Sequence, residues 1–138
     1  MVAGLGTYIG TNTVTPPAGG WTLATSGVAS SNALYVYYIA NAASQSGAKV
    51  WNTGVSNNEI VLIMAEYAGP ATTSPLDKAV LATGTGSVIS SGTATTVSAS
   101  EALLHFCIST NANATNLTFT GPTGGFTTTT TATASHSP

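Results

Sequence analysis

The sequence predicts an all-β protein, an antiparallel β-sandwich. Three observations carry that expectation. The apolar segments are short, β-branched and aromatic, and clusters of Gly, Pro, Asn and Ser separate them. No window of helical length carries apolar residues at helical spacing between capping residues. Two proline–glycine corners, each followed by an aromatic, punctuate the chain near its two ends. The 138 residues fit one domain by length. The expected division is a single domain over 1–126 and a Thr-rich tail or assembly arm over 127–138.

Along the chain, the expected strands begin with 7–9 and 12–15, where Thr, Tyr, Ile and Val cluster before Pro16. The segment 21–25 opens on Trp21, and 33–40 carries Tyr35, Tyr37 and Tyr38 among Leu and Val. Shorter runs follow at 48–52, 79–82, 86–90, 93–98 and 116–120. The longest apolar runs, 59–67 and 102–109, are apolar on both sides of a period-2 strand. Ile60, Leu62 and Met64 oppose Val61, Ile63 and Ala65, while Leu104, Phe106 and Ile108 oppose Leu103, His105 and Cys107. Strands apolar on both sides require a second cover, from this chain's own loops or from another subunit. Pro75 argues against more than a turn of helix near 71–78.

Charge is scarce. Only 4% of residues are charged, against about 25% in an ordinary domain. They are Lys49, Lys78, Glu59, Glu66, Asp77 and Glu101. Two basic residues leave no electrostatic footprint for nucleic acid or for an anionic membrane. No run of about 18 apolar residues spans a bilayer. The opening residues lack the basic start and continuous apolar stretch of a signal peptide, so the chain is expected to be made in a cytoplasm or cut from something larger. Cys107 is the lone cysteine, which rules out an internal disulfide and predicts a small buried hydrophobe.

Several constellations invite a chemical reading, and none is complete. Asp77, His105 and a serine lack the nucleophile elbow of a hydrolase, and Asp77 is expected to close a turn through its side chain. Glu59 and Glu66 stand roughly 23 Å apart along an extended strand, whereas glycosidase carboxylates sit within about 5–10 Å. His105 and Cys107 share one strand face, but a zinc site needs three or four protein ligands and His136 lies in the tail. The four carboxylates are scattered, with no Asp-rich calcium loop. Gly84-Thr85-Gly86 has no helix behind it to cradle a phosphate. No catalytic set, metal site or cofactor is expected. Trp21, Tyr35, Tyr37, Tyr38 and Trp51 are the candidates for a carbohydrate-stacking surface, and Asn113 and Asn116 open two glycan-acceptor sequons.

One stretch recurs at an offset of 105 residues: Val14 to Thr22, with Pro16, Pro17, Gly19, Gly20 and Trp21, is echoed by Phe119 to Thr127, with Pro122, Gly124, Gly125 and Phe126. Proline ends ladder pairing and paired glycines allow a tight reversal, so the echo marks two related corners. These corners, the strand at 33–44 and the segment 63–79 ending in Pro75-Leu76-Asp77 resemble a family of β-sandwich modules. The family occurs in phage structural proteins and in secreted adhesin-like proteins, and the likeness spans roughly residues 10–130. It implies a jelly-roll-like scaffold with surface or virion roles and no catalytic residues. Family members carry a further strand ahead of 2–9 and one or two after the second corner. Here the first is missing and the Thr tail replaces the second, which leads us to expect that another copy supplies the missing pairing.

The expected function is therefore a non-enzymatic virion protein, a capsid-decoration (cement) protein or a head or tail fibre module, that binds copies of itself and other virion proteins. The expected self-contact surface comprises Val61, Ile63, Leu103, His105 and Cys107. The alternatives are an extracellular adhesin or carbohydrate-binding module, or an extracellular filament subunit.

Overall fold

The computed structural model describes residues 1–8, 13–54, 59–98, 101–109 and 124–127. The expected strand 116–120, the sequon residues Asn113 and Asn116, Pro122, His136 and the tail beyond Thr127 lie outside the described residues. Within them the protein is all-β. Four strands, β1 (Val2–Tyr8), β2 (Thr22–Ala29), β3 (Asn32–Tyr38) and β4 (Ile60–Ala65), form one antiparallel sheet in the order β2-β3-β1-β4.

The β2–β3 hairpin closes at the pair Ala29–Asn32 over Ser30 and Ser31, with Ser30 at a φ of 54°. Such a two-residue turn demands positive φ because its twist then matches that of the strands. A bulge between Leu23 and Thr25 interrupts β2. β1 lies between β3 and β4 and pairs with both along its length. Met1 extends the ladder: its ammonium donates to the Ile39 carbonyl at 3.2 Å, and Ile39 N–H donates back to the Met1 carbonyl at 2.9 Å.

Paired residues share a sheet face, which sorts the side chains. One face carries Leu5, Tyr35, Tyr37 and Leu62, and here the core forms around Leu5, Val14 and Tyr37 with Trp21, Tyr35, Trp51 and Leu62 packed against it. The cover is tied down by a bridge in which the amides of Thr15 and Asn52 each donate to the other's carbonyl, at 2.7 and 3.0 Å. Tyr37 Oη donates to the Val14 carbonyl at 2.9 Å, anchoring cover to sheet.

The opposite face carries Gly4 and Gly6 of β1 and Gly27 of β2, and three side chains from later in the chain occupy the space above them. A Cβ at Gly4 would meet the Phe106 ring, with Cε1 at 2.7 Å, and one at Gly6 would lie 2.6 Å from Ile108 Cγ2. At Gly27 the obstructing side chain is Leu81, with Cδ1 at 3.0 Å. Missing side chains in β1 and β2 are the seats for Phe106, Ile108 and Leu81.

Several expectations change. The segment read as 7–9 is a full strand from Val2, and far from lacking a neighbour, it is an interior strand paired on both sides; Val2 to Thr7 are all buried. Among the described residues, the expected strands 12–15 and 48–52 meet in the single Thr15–Asn52 bridge. The segments 79–82, 86–90, 93–98 and 102–109 form no ladder among the described residues. Their β-propensity reflects a side-chain preference for half-buried pleated surfaces and does not by itself supply a pairing edge. Alternation nonetheless survives in 105–108: Phe106 and Ile108 are half-buried against the sheet, while His105 and Cys107 are exposed; Leu103 and Leu104 are both exposed.

The glycine seats yield a direct test. Gly4→Ala should lower stability by about 1–3 kcal/mol in urea unfolding, the usual cost of overpacking. Gly84→Ala, where an added methyl meets nothing within 4 Å, should stay within about 0.5 kcal/mol of wild type.

Candidate functional site

Between the glycine-bearing face and the segment 66–109 lies an open cavity of about 2090 Å³. The sheet supplies Leu34, Val36 and Tyr38 to its floor, and the later segment supplies Val80, Val88 and Leu104 among others. Both sides are dominated by apolar and hydroxyl-bearing groups.

The carboxylates near this space serve the backbone. Asp77 Oδ2 accepts from the Val97 N–H at 2.8 Å, and Glu101 Oε1 accepts from the Ser98 N–H at 3.0 Å. Two of the chain's four acidic residues thus hold consecutive amides of one loop. Asp77 does not close the local turn expected of it, and reaches 20 residues along the chain instead. Lys49 is likewise turned onto its own loop, donating to Gln45 Oε1 at 2.9 Å and to the Ser46 carbonyl at 3.1 Å. No group of three or more His, Cys, Asp or Glu that could hold a metal ion occurs among the described residues. No helix there is long and apolar enough to cross a membrane.

The expected contact surface divides. Val61 and Ile63 pair with Gly6 and Gly4, so they share the face on which Phe106 and Ile108 sit and are half-buried there. Leu103, His105 and Cys107 point away, with Leu103 58% exposed. His105 is met edge-on by Phe126 of the second corner, ring centroids 6.1 Å apart. Cys107, expected to be buried, is exposed, although the groups around it still desolvate the thiol enough to raise its pKa. The residues that sequence parity overlooked on β4 are Ile60 and Met64, each 41% exposed on the other face.

The glycine pairs of both corners have positive φ. Gly19 and Gly20 have φ of 125° and 83°, and Gly124 and Gly125 have φ of 78° and 82°. Pro16 and Pro17 precede the first pair, half-buried. Trp21 then packs edge-on against Trp51 at 5.0 Å, and Trp51 lies tilted against Tyr37 at 5.1 Å. Three of the five rings considered for sugar stacking therefore turn onto one another, and Tyr35 packs on the same core.

No protein-family model matches the chain, nor does any curated protein or solved structure.

Burial, and secondarily the neighbouring Tyr35, raises the pKa of Tyr37. A raised folded value means that the stability held by the neutral phenol is complete below pH about 10, the unfolded value, and is lost as pH climbs through the folded one. Tyr37→Phe should cost about 1 kcal/mol at neutral pH through loss of the bond to Val14. The gap to wild type should narrow above pH about 10, and urea unfolding across pH reads both effects.

Proposed function

We propose that this chain is a non-enzymatic virion structural protein that self-associates, either a phage capsid-decoration (cement) protein or a head or tail fibre module. The four-stranded sheet is, in this reading, one layer of a jelly-roll-like β-sandwich. The segments around Leu81 and 102–109 belong to the facing layer, as their seats on Gly27, Gly4 and Gly6 suggest.

The observation that carries the proposal is the concentration of exposed large apolar side chains in the second half of the described chain. Leu76, Val80, Val88, Ile89, Val97, Leu103, Leu104 and Phe126 are all at least 36% exposed, with Val88 at 82%. Apolar exposure on this scale marks association, because leaving it wet forfeits roughly 25 cal/mol per Å². With 4% charged residues the surface has little electrostatic means of keeping copies apart. The virion setting is supported by the likeness of the two corners and the 33–44 and 63–79 segments to phage structural modules.

Sedimentation at micromolar concentration should give an oligomer whose mass is unchanged from low to high salt, since apolar and hydroxyl contacts are not screened. A monomer, or steep dissociation in salt, overturns the self-association. Capsid and tail genes beside its own gene are the expected setting, and a neighbourhood of secretion and cell-wall genes overturns the virion assignment.

A further inference from the structure

The sheet has two edges, and they are built differently. β2 carries a bulge at Ala24, a device that discourages pairing by another strand. β4 has none. Ile60 to Ala65 is an unbroken apolar strand without Pro, Gly or charge, and Glu59 and Glu66 stand immediately outside it. No second ladder is formed by β4 among the described residues.

Hydrogen-bond parity determines which groups the edge presents. Tyr8 N–H donates to the Glu59 carbonyl at 3.1 Å, in the register of the β1–β4 ladder. Hydrogen-bonded and non-hydrogen-bonded pairs alternate along an antiparallel ladder. The backbone groups of Val61, Ile63 and Ala65 therefore point to β1, and those of Ile60, Leu62 and Met64 point outward. The Met1–Ile39 pair on the other side of β1 has the complementary parity.

We infer that β4 pairs with β4 of a second copy about a two-fold axis through Leu62, joining two four-stranded sheets into one. This rests on the self-association proposed above and names its geometry. An antiparallel pairing of identical strands about an axis normal to the sheet keeps each face continuous, so the axis must pass through a residue. Through Leu62, the hydrogen-bonded pairs are Ile60 with Met64 of the partner subunit, Leu62 with Leu62 of the partner subunit, and Met64 with Ile60 of the partner subunit. These are the residues whose backbone groups point outward, giving about six inter-chain hydrogen bonds. Val61 then faces Ile63 of the partner subunit, apolar against apolar. Glu66 falls beyond the paired stretch, and Glu59 meets only the small Ala65 of the partner subunit. An axis through Ile63 would instead set Glu66 against Ile60 of the partner subunit, burying a carboxylate against an apolar side chain. Charge placement thus selects the first register.

The side chains of Ile60 and Met64 are both 41% exposed, so each can be replaced without opening the core. Met64→Lys alone should raise the dimer dissociation constant at least about tenfold, because the two-fold axis applies the change at two cross-strand pairs. Ile60→Glu alone should do the same. Combining Ile60→Glu with Met64→Lys should restore association. The introduced carboxylate of one subunit would then face the introduced ammonium of the other at both symmetric pairs. In a Cys107→Ser background, Leu62→Cys should oxidise to a covalent dimer as the dominant product, with Ile63→Cys yielding little. An oligomeric wild type indifferent to both single changes, or weakened by them without rescue, overturns this register and leaves the self-association standing. A monomeric wild type overturns both.

Discussion

A steric constraint governs this fold: β1 must lack side chains at positions 4 and 6. Those two glycines, with Gly27 beside them across β3, let Phe106, Ile108 and Leu81 settle directly on the sheet. On the reverse face β1 places Leu5 into the core with Tyr37 and Val14. The strand is therefore packed from above and below as well as paired on both sides. Alanine in either seat would force an aromatic or β-branched side chain off the sheet.

The few charges support the segment that this packing leaves without a ladder. Asp77 and Glu101 grip the amides of Val97 and Ser98, and Lys49 holds its own loop. Glu59 and Glu66 delimit β4. Polar chemistry in this protein thus shapes the backbone, while large apolar side chains remain exposed among the described residues.

The all-β character, β3, β4 and the positive-φ glycine pairs at both corners were legible in the sequence, because β-branched and aromatic runs bounded by turn residues leave a clear pattern, whereas β2 runs on to Ala29, beyond the expected end at 25. β1 was not. Its two glycines lower β-propensity, and their purpose depends on Phe106 and Ile108, about a hundred residues away, so no local rule detects it. Two-sided apolarity is plain in 59–67 and 102–109, yet the strand most deeply buried on both faces is β1. Parity separates inward from outward residues in 105–108. It could not say which face of β4 would meet that segment, since both faces are apolar; Val61 and Ile63 accordingly lie beneath it. Cys107 escaped for a related reason: its neighbours Phe106 and Ile108 take the inward positions and leave it outside.

The position of β1 in the sheet also has a temporal meaning. It is the first of the four strands to leave a ribosome, yet its partners lie 24 to 36 positions downstream in β3 and 53 to 63 in β4. Closing such long loops delays productive pairing and slows folding relative to a meander of adjacent hairpins. Meanwhile β2 and β3 can zip locally across Ser30 and Ser31. Until β4 emerges, β1 remains an edge, and nascent chains on one message are within reach of each other's unpaired strands.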